Sequence, residues 1–66
     1  MTFLGQKIKE LRTEKKLTQE AVGRILGVSR QAINQWEKEQ TTPRIKRIYQ
    51  LAKVLNCQLK DLLNIE

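Results

Sequence analysis

The clearest chemistry in this chain is carried by one short stretch, SRQAINQWE. When the stretch is drawn as a helix, Arg30, Gln31, Asn34 and Gln35 fall within an arc of about 140°, and no acidic residue occurs before Glu37. A side-chain amide pairs a donor with an acceptor, as the major-groove edge of adenine requires, and a guanidinium suits the two acceptors of guanine. A carboxylate on this face would be repelled by phosphate. The stretch therefore favours contact with the edges of base pairs.

Local signals predict how this stretch is positioned. Thr18 is placed to cap a first helix of about residues 19–26, and Ser29 to cap a second helix of about residues 29–37. Gly27 lies where one helix must end and the next begin, a position that favours positive φ. Gly23 lies where the two helices cross and a small side chain allows close approach. The pattern is that of a helix-turn-helix, with Ile33, Trp36 and Ala32 facing inward.

Composition narrows the classes of function. The chain has 66 residues, which predicts a single domain (1–66) with a thin core and no room for a deep substrate cavity. Thirteen Lys and Arg against seven Asp and Glu give a net charge of +6, which points to a polyanionic partner. There is no histidine and one cysteine, so we expect no disulfide, no metal site, no cofactor, no catalytic residue and no small-molecule ligand. We expect no signal peptide and no membrane span.

The flanking segments predict three more helices. Apolar residues recur at helical spacing from Thr2 to about Glu14, with Gly5 weakening the first turn. Thr42 before Pro43 predicts the N-cap of a helix that continues to about Leu55. Asn56 is expected as its left-handed C-terminal residue, and a short last helix follows at about residues 59–63. Stripes at helical spacing predict buried side chains, among them Ile25, Ile45 and Tyr49, and Cys57 is interpreted as a small core residue. The fold class is all-α with five short helices.

These segments together resemble the lambda-repressor/Cro type of helix-turn-helix domain, the XRE-like family. The resemblance is carried by KIKELRTEKKLTQE, LGVSRQAINQWE, a helix opened by proline and LAKVLNCQLKDLL, and it covers almost the whole chain. It implies a compact five-helix domain that binds double-stranded DNA. It also implies a transcription regulator, typically a phage or mobile-element repressor that binds a palindromic operator as a homodimer. The implied location is the cytoplasm of a prokaryote, on the nucleoid.

Matching positions carry implied roles. Gln19 corresponds to a glutamine that holds a phosphate and braces the DNA-contacting helix. Ser29, Arg30, Gln31 and Gln35 correspond to the base-contacting positions, and Ser29 is also implied to reach a phosphate. Asn34 is added to the base-contacting set from our geometry alone. Lys38, Arg44 and the helix amides near Thr42 correspond to a second phosphate clamp. Arg12 and Glu37 correspond to a partly buried ion pair.

The sequence departs from the family pattern at three places. Gly23 stands where the family generally has alanine. The loop Glu39-Gln40-Thr41-Thr42 carries an acid and no glycine, so we expect this stretch to lie back from the phosphates. Asn56-Cys57-Gln58 replaces the more usual Gly-Val-Ser, so Gln58 is a weak N-cap. Dimerisation is expected through the apolar residues of the last helix and the tail, Leu59, Leu62, Leu63 and Ile65.

Two other functions are compatible with the same sequence. One is a protein-interaction module of the antitoxin- or antirepressor-binding type, in which DNA contact is secondary. The other is binding of RNA or single strands, which is disfavoured because the aromatic residues Phe3, Trp36 and Tyr49 lie on apolar stripes.

Overall fold

The computed structural model describes residues 4–63, which form five α-helices. These are α1 (Leu4–Glu14), α2 (Gln19–Leu26), α3 (Arg30–Glu37), α4 (Ile45–Val54) and α5 (Leu59–Leu63). Within that range there is no strand, so the predicted all-α class and helix count are confirmed. Thr2, Phe3 and Ile65 lie outside the described residues. None of the helices described is both long and apolar enough to cross a bilayer.

The predicted caps of α2 and α3 are present. The Thr18 hydroxyl accepts a hydrogen bond from the Ala21 N–H at 3.0 Å, and the Ser29 hydroxyl accepts one from the Ala32 N–H at 3.1 Å. Gly27 has a φ of 76° at the end of α2, which a residue with a β-carbon adopts only with strain. These local devices set the boundaries of both helices where the sequence predicted them.

Gly23 sets how closely α2 approaches the turn before α3. A β-carbon on Gly23 would lie 2.7 Å from the carbonyl oxygen of Val28 and 3.3 Å from the carbonyl carbon of Ser29. The two segments therefore meet at backbone level, with no side chain between them. This confirms the expectation that Gly23 has a packing role that outweighs its low helix propensity.

The core lies between all five helices. From α3 it takes Ile33, which is fully buried, and Trp36, which is 8% exposed. Six large side chains with under 2% exposure define its centre: Ile8, Val22, Ile33, Leu51, Leu55 and Leu62. Because Ile33 and Trp36 both point into this core, the opposite side of α3 must face outward.

Three predictions of burial are wrong. Ile25 on α2 is 60% exposed, and Ile45 and Tyr49 on α4 are 58% and 56% exposed. Helical spacing predicts which side of a helix is apolar, but the neighbouring helices of so small a body cover only part of that side. Ile45 and Tyr49 lie one turn apart and form an apolar patch on the outside of α4.

The predicted start of α4 is also wrong. The helix begins at Ile45, and its N-cap is Arg44, with a ψ of 159° and no side-chain hydrogen bond to the first turn. Pro43 is buried, so its ring packs into the body of the protein instead of opening the helix. Thr42 is exposed and does not cap the helix.

Each of helices α1 to α4 is followed, one or two residues after its last residue, by a residue with positive φ, and the next N–H bonds back five residues. The residues with positive φ are Lys16 (φ 58°), Gly27 (φ 76°), Glu39 (φ 61°) and Asn56 (φ 53°). The corresponding bonds run from residue 17 to 12, 28 to 23, 40 to 35 and 57 to 52, at 2.8–3.0 Å. Asn56 confirms the prediction, whereas Lys16 and Glu39 give no sequence signal for this conformation.

The start of α5 has a cap that compensates for Gln58. The Asp61 carboxylate accepts a hydrogen bond from the Gln58 N–H at 3.0 Å, so the helix is stabilised from its third residue rather than from its N-cap side chain. Cys57 packs half-buried against the core as a small apolar residue. Burial raises the pKa of its thiol, and the nearby Asp61 carboxylate raises this pKa further.

Candidate nucleic-acid interface

The outer side of α3 is open to solvent at its N-terminal end. Arg30 and Gln31 are exposed, whereas Asn34 and Gln35 are half-buried. All four lie on the side of the helix opposite Ile33 and Trp36, so they form one continuous polar surface. The side of α3 that the sequence singled out is therefore available to a ligand.

Glu37, the acid that ends α3, is turned away from this surface. Its Oε2 atom lies 2.7 Å from Nε of Arg12, and its Oε1 atom lies 3.2 Å from Nη2 of the same guanidinium. The Glu37 side chain is 3% exposed and the Arg12 side chain 14% exposed. Arg12 also donates to the Leu17 carbonyl oxygen at 2.8 Å. The ion pair thus ties α1 and the turn after it to the end of α3, and the charge of Arg12 is used inside the protein.

Glu39 also bonds to the body of the protein, although the residue is exposed. Its Oε1 atom accepts a hydrogen bond from the Gly5 N–H at 3.0 Å, which places a carboxylate at the N-terminus of α1. Gly5 is buried there, and a β-carbon on it would lie 2.8 Å from the Glu37 carbonyl oxygen. Gly5 therefore allows α1 to approach the end of α3. Both acids between positions 29 and 44 bond to the body of the protein, Glu37 with a buried side chain and Glu39 as an exposed residue bonded through Oε1. The basic residues of the same segment, Arg30, Lys38 and Arg44, are exposed.

Gln19 joins α2 to the side of α3. Its Nε2 atom donates to Glu37 Oε1 at 3.0 Å and to Asn34 Oδ1 at 3.3 Å. Through these two hydrogen bonds Gln19 braces α3, as expected. Both hydrogens of the Gln19 amide are used in these two bonds, so this side chain has no donor left for a phosphate.

Cations and donors flank α3 on its loop side. Lys38 and Arg44 are exposed, and Arg44 caps α4, whose first N–H groups have no partner within the helix. The Ser29 hydroxyl accepts from Ala32, so its own hydrogen is free to donate outward. Thr42 is an exposed hydroxyl in the loop, not a helix cap. These groups provide positive charge and hydrogen-bond donors in the segments that precede and follow α3.

Arg47 has a structural contact that sequence reasoning missed. Its Nη1 atom donates to the Leu26 carbonyl oxygen at 2.7 Å and to Gln50 Oε1 at 2.9 Å. Arg47 thus places a cation at the C-terminus of α2, where the helix dipole favours it, and holds α4 against α2. Arg47 and Leu26 are 21 positions apart in the sequence, and only the presence of a basic residue could have indicated this contact.

The residues expected at a dimer surface are not equally available. Leu62 is fully buried in the core, so it cannot form an intermolecular contact without rearrangement, and this part of the expectation is corrected. Leu59 and Leu63 are partly buried and pack against the core. Ile65 lies outside the described residues. Among residues 4–63, no group of His, Cys, Asp and Glu side chains is arranged to hold a metal ion.

Comparison with known proteins identifies the group to which the chain is related. The sequence profile described as "Helix-turn-helix" matches residues 8–62. The chain belongs to this helix-turn-helix family, in its XRE type. The expected resemblance is confirmed, and the family is one of DNA-binding domains of transcription regulators, not of enzymes.

Individual relatives share this helix-turn-helix domain. It is 38% identical over 55 residues to repressor protein C2 of Salmonella phage P22, covering 83% of this chain and 26% of that protein. It is 36% identical over 56 residues to an uncharacterised HTH-type transcriptional regulator of Archaeoglobus fulgidus, covering 85% of this chain and 79% of that one. The domain therefore spans about a quarter of the length of the phage repressor but most of the archaeal regulator.

A solved structure extends the match to three dimensions. The crystal structure of the P22 c2 repressor in complex with a synthetic operator superposes with a TM-score of 0.87 at 36% identity, covering 96% of each chain. The five-helix architecture of this helix-turn-helix domain is thus that of a protein crystallised on operator DNA.

Proposed function

We propose that the chain binds double-stranded DNA sequence-specifically, with α3 in the major groove, as the DNA-binding part of a transcription regulator. The observation that supports this best is the outer side of α3, where Arg30 and Gln31 are exposed while the acids Glu37 and Glu39 bond inward. An α-helix fits the major groove, and amide and guanidinium groups match base edges there. The P22 relative, which is a repressor bound to an operator in its crystal structure, favours a repressor of phage or mobile-element type.

In this proposal one set of residues contacts base pairs and another contacts phosphates. Base pairs are discriminated by Arg30, Gln31, Asn34 and Gln35. Phosphates are neutralised by Lys38 and Arg44 and receive hydrogen bonds from the Ser29 and Thr42 hydroxyls. Phosphate contacts supply affinity that falls with salt concentration, whereas base contacts supply specificity.

Gln19 takes a revised role. Because its amide hydrogens bond to Glu37 and Asn34, any phosphate contact at this position would come from the backbone N–H at the first turn of α2. Its side chain acts on DNA through the position of Asn34.

We propose that the active form is a homodimer. A single domain of this size buries too little surface for tight specific binding, and a two-fold dimer places two α3 helices roughly 34 Å apart, one turn of DNA. The contact surface is proposed to include Leu59 and Leu63, without Leu62. The exposed pair Ile45 and Tyr49 on α4 is another candidate apolar surface among the residues described. Sedimentation of Leu63→Lys and Tyr49→Lys separates the two, since only the variant altered at the true interface becomes monomeric. The protein would act in the cytoplasm, on the nucleoid.

Selection of bound sequences from a pool of random duplex DNA tests this function. We expect a palindromic consensus whose half-sites are about one helical turn apart. Gln31→Ala should relax the preference at one base position, while Arg44→Ala should weaken binding to all sequences alike and reduce the salt dependence.

Two results would contradict the proposal. One is failure of the folded chain to bind duplex DNA even at low salt. The other is identical behaviour of Gln31→Ala and Arg44→Ala, which would remove the distinction between base and phosphate contacts.

A double variant tests the alternative of a protein-interaction module. If Arg30→Ala combined with Arg44→Ala abolished DNA binding but left binding to a protein partner intact, the result would support DNA as the primary ligand.

A further inference from the structure

Two apolar side chains of α4, Ile45 and Tyr49, are exposed next to each other, and we name this pair the α4 patch. They are 58% and 56% exposed, although Leu51 on the same helix is fully buried. The two residues are one turn apart and are separated by about 6 Å along the helix axis. An exposed aromatic side chain beside a branched aliphatic one is typical of the anchor positions of protein interfaces.

The α4 patch faces away from the helix-turn-helix. Arg47 marks the side of α4 that packs against α2, because its Nη1 atom donates to the Leu26 carbonyl oxygen at 2.7 Å. At about 100° per residue, Ile45 and Tyr49 each lie about 160° around the helix from Arg47. In the proposed complex, DNA along α3 would reach α4 at its N-terminal end, where Arg44 lies. The α4 patch is therefore separate from the proposed DNA-binding surface.

The charges beside the α4 patch are positive. Helix α4 contains no acidic residue. Lys46 and Lys53 are exposed, and each lies next to Tyr49 on the helix surface, three residues before it and four residues after it. Within residues 4–63 neither lysine is in an ion pair. The nearest acids along the chain, Glu39 and Asp61, both accept hydrogen bonds from backbone N–H groups elsewhere. The patch thus combines apolar side chains with cations that have no acidic partner among those residues.

This charge pattern disfavours a second copy of the chain as the molecule that covers the patch. In a two-fold symmetric contact both copies present the same surface, so Lys46 and Lys53 would face lysines and no acid. Removing cations from water without a counter-charge is unfavourable. Contact of the patch with a different surface of a second copy would be head-to-tail, and it would not form the two-fold dimer proposed above.

We infer that the α4 patch binds an acidic segment of another protein that carries two apolar side chains one helical turn apart. The apolar side chains of the partner would cover Ile45 and Tyr49, and its carboxylates would pair with Lys46 and Lys53. Apolar anchors at the centre and charged groups at the rim are the usual arrangement of a protein–protein interface. The inference goes beyond the proposed function, because it adds a protein ligand on a surface that does not contact DNA.

Selection from a phage library of random peptides tests this inference. The wild-type chain without DNA is the target, and peptides that also bind the variant combining Ile45→Gln with Tyr49→Gln are removed. Glutamine is compatible with a helix, and both residues are exposed, so this variant should keep the wild-type circular dichroism spectrum. We expect the remaining peptides to be acidic and to carry apolar residues three or four positions apart. A selection that leaves no peptide, or one that leaves neutral or basic peptides, would overturn the inference.

Fluorescence anisotropy with the tightest selected peptide then compares single substitutions. Tyr49→Gln should lower the affinity by about 30-fold or more, as loss of a central aromatic anchor does. Ile25→Gln is the matched control, because Ile25 is also an exposed isoleucine (60%) but lies on α2, and it should keep the wild-type affinity. Lys46→Gln and Lys53→Gln should each lower the affinity by about 1.4- to 5-fold, and less at high salt. Lys9→Gln removes an exposed charge from α1, and an effect equal to theirs would contradict the proposed pairing.

Two measurements without peptide test the other ligands that could cover the patch. If Ile45→Gln with Tyr49→Gln weakened binding to duplex DNA as strongly as Arg44→Ala does, the patch would belong to the DNA-binding surface. If the same variant converted a dimeric wild type to monomers in sedimentation, the patch would be the dimer contact. Either result would overturn the inference. Binding of acidic peptides at the patch by a chain that ignores duplex DNA would support the inference while the proposed function fails.

Discussion

Removing the guanidinium of Arg12 should destabilise the protein far more than removing any exposed charge. In Arg12→Met, the Glu37 carboxylate would remain 3% exposed with its cation gone, and the Leu17 carbonyl oxygen would lose its donor. Breaking a buried ion pair from one side costs about 3–5 kcal/mol. A chain of 66 residues has a total free energy of unfolding of about 3–10 kcal/mol. The substitution therefore removes about 30% of the stability or more.

Two further variants isolate the electrostatic cause. Arg24→Met removes an exposed ion pair with Glu20, whose side chains are 76% and 69% exposed, and should change the free energy of unfolding by less than about 0.5 kcal/mol. Arg12→Met combined with Glu37→Gln leaves a neutral amide whose oxygen still accepts from Gln19. This double variant should recover at least half of the loss.

Equilibrium unfolding in urea measures all three variants. Far-UV circular dichroism follows the helices, and the fluorescence of Trp36 follows the core beside α3. A loss below about 1 kcal/mol for Arg12→Met would show that the pair behaves like a surface ion pair. If Arg12→Met does not fold, the double variant decides: a folded double variant supports the explanation by an uncompensated charge, and an unfolded one contradicts it.

Four other substitutions or treatments test features of the fold. Gly5→Ala should lower the melting temperature, because the added β-carbon would lie 2.8 Å from the Glu37 carbonyl oxygen. This clash outweighs the gain in helix propensity of about 1 kcal/mol that alanine brings. An unchanged melting curve would contradict the close approach. Lys16→Gly should raise the free energy of unfolding by about 0.5–1 kcal/mol, because Lys16 has a φ of 58°, and the same change at Lys15 serves as the control that should not stabilise. Iodoacetamide should alkylate Cys57 more slowly in the folded chain than in urea, because burial raises the pKa of the folded thiol; equal rates would refute this. The pKa of the Cys57 thiol is higher in the folded protein than in the unfolded chain, so the thiol contributes stability that is complete below the pKa of the unfolded chain. This contribution is lost as the pH rises through the pKa of the folded protein. Cys57→Ala should therefore lose less of its free energy of unfolding at alkaline pH than the wild type does.

The sequence predicted the elements whose signals are local. The limits of α2 follow from Thr18 and Gly27, which act within one turn of the helix ends. The Thr42-Pro43 signal failed because the helix begins two residues later, at Ile45, and Pro43 is buried in the loop before it. Burial depends on tertiary packing, which no local rule contains. Ile25 and Tyr49 were assigned to the core for a similar reason, since helical spacing does not reveal how far the neighbouring helices extend.

The candidate site shows the same division. The polar side of α3 was visible in the types and spacing of its residues. The inward turn of Glu39 toward Gly5 was not, because the contact spans 34 positions. The bond between Gln19 and Asn34 depends on how α2 crosses α3, which the sequence indicated only through Gly23.

The backbone contact at Gly23 implies that most outward-facing residues of α3 can be exchanged without disturbing the fold. Since α2 meets the turn before α3 without an intervening layer of side chains, outward substitutions on α3 do not alter how the helix is seated. On the proposed function, new residues at Arg30, Gln31 and Gln35 should therefore change the DNA sequence that the domain prefers without repacking the core. Asn34 is the exception, because its partner is on α2, and a successful graft there must bring a compatible residue at position 19.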